Sequence, residues 1–182
     1  MSQQIEALSL GDAPSTVVVK LHPTVVFSVL NNFVRRSDRE SRVIGTLLGT
    51  ITDGCIEITE CFGVPHMEKK DELFVAINKD YHKTMYNFHR RINRKEKIVG
   101  WYTTTSSEGA LINDNSSLIH DFYSQECEHP VHIVVDTTLA GNNKTLNHLM
   151  TMFKQQYNTH RPIDTSYTIL LPHMPPLPLT SP

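Results

Sequence analysis

The stretch RVIGTLLGTI, residues 42–51, is apolar on nearly every position. A strand with one wetted face would alternate, so this run must be buried on both faces and needs a layer above it and a layer below. The surrounding chain supplies such layers. VVVKL (17–21) is β-branched and reads as a strand. PTVVFSVLNNFVRR follows it, with Pro23 suited to a first helical turn. In that helix Val25, Val26, Val29, Leu30, Phe33 and Val34 recur at three and four, which puts them on a core face. Arg35 and Arg36 stand at its end, where cations favour the helix dipole.

Beyond the long apolar strand, Asp53-Gly54 marks a hairpin. CIEITECFGV then offers Ile56, Ile58, Phe62 and Val64 for one face or its extension. A charged loop, HMEKKDE, precedes a helix whose stripe is Tyr81, Met85, Phe88 and Ile92. KIVGWY (97–102) and VHIVVD (131–136) read as strands. Between them lies a helix carrying Leu118, Ile119, Phe122 and Tyr123, with Asn115, Ser116 and Ser117 as capping side chains. Residues 144–156 fit helix or strand equally, and PIDTSYTILL adds a last strand. The sum is an α/β domain, a mixed β-sheet flanked by helices. Residues 1–16 read as a loose leader, 17–155 as the domain, and 156–182 as a last strand and a proline-rich tail.

Charge and cysteine content narrow the function. With 182 residues and a net charge of −2, the whole molecule does not attract nucleic acid or acidic membranes. There is no basic, apolar leader of the signal-peptide kind and no apolar run of the ~20 residues that a spanning helix needs. Cys55, Cys61 and Cys127 form no CxxC pair, which fits a reducing compartment, the cytoplasm or nucleus.

Chemistry-bearing motifs are weak one by one. GTLLGT has no phosphate-loop lysine, so Gly45 and Gly49 read as close-packing positions. The row Thr103, Thr104, Thr105, Ser106, Ser107 needs a base to yield a nucleophile; His120 with Asp121 is the nearest, but adjacent helix residues do not share a face. The plain reading is an exposed polar strand end. His129 and His132 flank Pro130, and His82 and His89 lie two turns apart, so the ten histidines read as solvated or hydrogen-bonded rather than chelating. The basic segment 81–97 can meet RNA phosphate, although a solvated helix face explains it too. PPLP near the end lacks the basic neighbours of an SH3 ligand.

RVIGTLLG, CFGVPH, KIVGWY and HPVHIVVDT, in this order and spacing, resemble the MPN domain family over about residues 17–155. The resemblance implies the MPN fold. Catalytic members are zinc isopeptidases: two histidines and an aspartate hold zinc, a glutamate takes a proton from the bound water, and a serine helps hold the oxyanion. Laid on that motif, the glutamate position falls on Arg42 and the histidines on Thr103 and Thr105. The aspartate falls on Leu118, or on Ser117 in an ungapped count; the serine falls on Asn115 or Asp114. Threonine is a poor zinc ligand and arginine cannot act as a base. The resemblance therefore implies no enzyme activity, no metal and no cofactor.

What it implies instead is a cytoplasmic scaffold of the branch that occurs in translation initiation factor 3. Its partners would be the other subunits, above all the MPN-containing h subunit, with the small ribosomal particle reached through the complex. The rival readings are a scaffold of the proteasome lid or signalosome, and an active metallo-deubiquitinase. Members of this kind continue into long helices, whereas no helical pattern follows about residue 156, which suggests a shortened paralogue.

Overall fold

The computed structural model describes residues 15–69, 72–105, 113–137, 150–153 and 165–170. The leader up to residue 14, Ser106, Ser107 and the proline-rich tail lie outside them. In chain order the elements are β1 (Ser15–Leu21), α1 (Pro23–Val34), β2 (Ile44–Thr52), β3 (Cys55–Gly63), β4 (His66–Glu68), β5 (Val75–Ile77), α2 (Lys79–Ile92), β6 (Lys97–Thr104), α3 (Asn115–Glu126), β7 (Val131–Val135), β8 (Met150–Phe153) and β9 (Thr165–Leu170).

Seven strands form one sheet in the order β8-β7-β6-β2-β3-β1-β9, and β4 with β5 makes a separate hairpin. The sheet is mixed: β1 runs parallel to β3 and β9, β6 runs parallel to β7, and the remaining pairs are antiparallel. β2 lies at its centre, buried from Ile44 to Gly49. α1 covers one face, where Val25, Val26 and Val29 pack with Val19, Leu47, Ile58 and Val99. α2 and α3 cover the other, where Ile119, Phe122 and Tyr123 pack with Ile44, Leu48, Phe62 and Trp101. Each fully buried aliphatic side chain stabilises such a core by roughly 1.5–3 kcal/mol.

The Asp53-Gly54 hairpin forms as expected, both residues taking positive φ (48° and 77°), the backbone that a tight two-residue turn requires. Gly45 and Gly49 are close-packing positions: a Cβ on the first would strike the Phe62 carbonyl and the Tyr102 ring, and one on the second the Glu57 carbonyl. Residues 150–153, ambiguous in sequence, are the edge strand β8, and β9 falls inside PIDTSYTILL.

Four expectations need correction. Ile56, Ile58, Phe62 and Val64 do not share a face. The β2–β3 register slips so that Leu48 opposes Glu60 while Gly49 opposes Ile58, and the extra residue, Thr59, reverses the alternation. Ile56 and Ile58 therefore join the α1 layer, Phe62 and Val64 the α2/α3 layer. Val34, the last residue of α1, is 78% exposed instead of facing the core. The charged segment after Pro65 is not all loop, since His66–Glu68 pairs with Val75–Ile77. In α2 the stripe is turned outward: Tyr81, Phe88 and Ile92 are exposed, and His82, half-buried Met85, Tyr86 and His89 face the sheet.

Candidate functional site

The starts of β2 and α3 and the end of β6 meet at one end of the sheet. Ile44 pairs with Thr103 in the ladder. Thr104 Oγ1 accepts the Val43 N–H at 3.1 Å, and the Thr104 N–H is given to the Val43 carbonyl at 3.1 Å. The side chain just ahead of this pairing is Arg42, only 2% exposed.

A buried guanidinium must be both hydrogen-bonded and charge-compensated. Arg42 Nε donates to Glu68 Oε1 at 2.9 Å and Nη2 donates to Glu68 Oε2 at 3.0 Å, a two-pronged ion pair. Nη2 also donates to Asn113 Oδ1 at 2.8 Å, and Nη1 donates to Ser116 Oγ at 3.2 Å. Glu68 comes from β4. Its carboxylate is further approached by His66 Nε2 at 3.1 Å and by the side-chain amides of Asn113 and Asn115, each at 3.3 Å. Burial by itself would raise the Glu68 pKa. The hydrogen bonds from His66 and Arg42, with the charge of Arg42, outweigh it and hold the carboxyl at about 2.

The network has a mechanical consequence. Asn115 accepts the Phe74 N–H through Oδ1 at 3.0 Å and donates to the Lys69 carbonyl at 3.3 Å. Together with the Arg42–Glu68 pair, these bonds clasp the β4–β5 hairpin to the first turn of α3. The capping role expected of Asn115, Ser116 and Ser117 is taken by Asn113, whose Oδ1 accepts the Ser116 N–H at 3.1 Å; the three residues themselves lie inside the helix.

The hydroxyl row is buried rather than exposed: Thr103, Thr104 and Thr105 are at most 1% accessible. A threonine hydroxyl can be buried when it finds a partner. Thr103 donates to the Thr104 carbonyl at 3.1 Å, and Thr105 shares a 2.8 Å bond with Thr137 while accepting the Thr137 N–H. His120 does not serve the row as a base in this arrangement: its Nδ1 accepts the Trp101 indole N–H at 3.3 Å, and burial lowers its pKa. Of the sequence-selected positions, Arg42, Asn115 and the β6 end, Thr103 to Thr105, are thus gathered at one place. Leu118 and Ser117 sit half-buried on α3, and Asp114 is exposed at the helix start. The gathered polar atoms are a guanidinium, hydroxyls, amides and one imidazole, that of His66, around a single carboxylate that arginine and the imidazole already engage. That set does not suit a zinc ion, which favours thiolate, imidazole and free carboxylate. Among the described residues no three His, Cys, Asp or Glu are grouped to hold a metal.

Sequence reading did not single out Glu68, His66 or Asn113 for this site, and took Ser116 only as a capping side chain. Glu68 stood in a segment read as a charged loop, and its partner lies 26 residues away, beyond any local spacing rule. The reading of the histidines as solvated or hydrogen-bonded holds for His22, His66 and His120, which are hydrogen-bonded, but misses two that are packed in the core. His82 is buried against Phe62, Phe122 and Tyr123, with ring centroids 5.2–5.8 Å away. His132 stacks on Trp101 at 3.5 Å, and its pKa is depressed to about 3, chiefly by burial and further by His120 and Arg42. The thiols of Cys61 and Cys127 are pushed up to about 12, first by burial and then by neighbouring glutamates, so neither is a ready nucleophile. No helix among the described residues is long and apolar enough to cross a membrane.

Comparison with known proteins places this geometry in a lineage. Residues 14–129 match the model of the JAB1/Mov34/MPN/PAD-1 ubiquitin protease family. The F subunit of eukaryotic translation initiation factor 3 from Arabidopsis thaliana is 47% identical over 133 residues, 72% of this chain and 43% of that protein. The F subunit of the same factor from Bombyx mori is 43% identical over 130 residues, 71% of this chain and 43% of that protein. The F-1 subunit from Drosophila virilis is 42% identical over 130 residues, covering 71% and 44% respectively. The chain thus spans less than half the length of these relatives. With a family match over residues 14–129 and a mixed sheet covered by helices on both faces, the chain belongs to the JAB1/Mov34/MPN/PAD-1 family.

Proposed function

We propose that the chain is a non-catalytic MPN scaffold subunit of translation initiation factor 3, similar to its F subunit, that supports recruitment of mRNA and initiator tRNA to the small ribosomal subunit in the cytoplasm. The observation that carries this reading is the buried Arg42–Glu68 pair at the start of β2. In this reading Arg42 stands where the protease motif has its general base, Thr103 and Thr105 where it has histidine ligands, and Asn115 and Leu118 where it has its serine and aspartate. A fixed guanidinium in place of the base both lacks a basic lone pair and opposes a dication by Coulomb repulsion. The identities of 42–47% to subunits of one named complex favour that assembly over the proteasome lid or the signalosome. Its contacts would be with the other subunits, first an MPN partner such as the h subunit, and through the complex with the small ribosomal subunit.

The test is co-precipitation of the tagged chain from cytoplasmic extract, with quantitative mass spectrometry of what is recovered. Enrichment of initiation factor 3 subunits, led by the h subunit, is expected. Enrichment of proteasome-lid or signalosome subunits instead would overturn the assignment.

A further inference from the structure

Seven of the chain's 17 lysines and arginines lie between residues 79 and 97, against two acidic residues, Asp80 and Glu96. The segment therefore carries +5 within a chain of −2, leaving −7 for everything else. Glu96 does little to offset this, being buried and accepting the Thr59 hydroxyl at 2.8 Å. Asp80 sits in the first turn of α2, at the opposite end from the arginines. The helix dipole accounts for cations in the last turn only, so it covers Arg90 and Arg91 but not Arg94, Lys95 or Lys97, which follow the helix.

Arg90, Arg91 and Arg94 line one surface groove of about 450 Å³ together with Asn87. The ion pairs among the described residues are all elsewhere: His22–Glu57, Arg42–Glu68, His66–Glu68 and Lys69–Glu72. Three guanidiniums thus share a surface groove, none of them within ion-pair distance of a carboxylate among the described residues. Phe88, half exposed, lies beside them with the Arg91 guanidinium 5.8 Å from its ring centroid. A second groove, of about 420 Å³, shares Arg90 and Arg94 but contains Glu126 and Glu128, and so bounds the basic surface on that side.

From this geometry we infer that the α2 groove is a contact site for the phosphodiester backbone of single-stranded nucleic acid, independent of the scaffold reading above. Guanidinium forks match phosphate oxygens two at a time. A row of cations beside an exposed aromatic ring is the arrangement that holds a flexible strand, with phosphates on the charges and a base on the ring. An acidic protein segment would use the same charges but has less need of a ring face set among them. Contact of this kind is sequence-independent.

The test is fluorescence anisotropy of the purified chain with a labelled oligouridylate of about twenty nucleotides, measured across a salt series. Arg90→Ala/Arg94→Ala is compared with Lys20→Ala/Arg39→Ala, which removes the same charge from exposed positions elsewhere. The groove variant is expected to bind about tenfold more weakly at low salt, with the slope of log K against log salt flattened by about 1.4, since each phosphate contact on a single strand contributes about 0.7. The control variant is expected to keep the parent slope. Absence of saturable binding by the parent chain, or an equal loss in the control, overturns the inference. Competition by polyglutamate as effective as that by unlabelled oligouridylate also overturns it, by reassigning the groove to an acidic protein partner.

Discussion

Two arginine clusters in this chain meet opposite fates. Arg42 is enclosed, and each of its three nitrogens donates to Glu68, Asn113 or Ser116. Arg90, Arg91 and Arg94 stand in an open groove with no carboxylate in ion-pair range among the described residues. The first cluster spends its charge on the fold, and the second keeps it for whatever approaches from outside. Identical side-chain chemistry therefore has structural meaning at one place and binding meaning at the other, and desolvation sets the difference. Removing one partner of a buried pair strands the other charge, while removing a wetted charge strands nothing.

The comparison can be broken first at Arg42. Arg42→Ala leaves Glu68 buried without its main counter-charge and is expected to destabilise the chain by about 3–5 kcal/mol, read by denaturant or thermal unfolding. Glu68→Ala should cost a similar amount, and the double variant clearly less than the two losses added. Additive losses would mean that the pair acts as two independent groups.

Acid should act next. His132, with its pKa near 3 in the fold, takes up a proton far more readily when unfolded, where histidine titrates near 6.5. The unfolded state therefore binds more protons below that pH, and stability falls as pH drops from the unfolded value toward the folded one. Between pH 7 and pH 5 this group alone is expected to remove about 2 kcal/mol; His82, also depressed by burial, adds in the same direction. His132→Leu should show a shallower loss over that interval. Glu68 titrates in a lower window: its contribution is complete above the unfolded carboxylate value near 4.3 and disappears as pH falls toward 2. A melting profile flat from pH 7 to pH 5 would contradict the histidine assignment.

Smaller effects sharpen the contrast. Asn113→Ala removes the side-chain cap of α3 and one bond to Arg42, for an expected loss of about 1 kcal/mol by chemical denaturation. Arg90→Ala/Arg94→Ala should change stability by no more than about 0.5 kcal/mol per site. A stability loss there as large as at Arg42 would erase the distinction between the clusters.

The layered fold was legible because β2 is apolar on both faces and α1 carries a regular stripe, and both signals come from near neighbours in sequence. The orientation of α2 was not. Its most buried residue is His82, and hydropathy periodicity passes over an imidazole packed among Phe62, Phe122 and Tyr123. The single bulge at Thr59 redirected Phe62 and Val64 without leaving a mark in composition. At the candidate site, Arg42 and the threonines were visible through the family resemblance. Their partners were not, because Glu68 and Asn113 reach Arg42 across 26 and 71 residues, and only the folded sheet brings those segments together.

Under the proposed function, the internal ion pair at the start of β2 takes the position where a protease of this family would hold a metal. The most direct measurement is the zinc content of the purified chain after exposure to excess zinc and desalting, with a ubiquitin-chain cleavage assay on the same sample before and after chelation. The account predicts zinc far below stoichiometric and no chelator-sensitive cleavage. About one zinc per chain, lost to the chelator together with a cleaving activity, would contradict it.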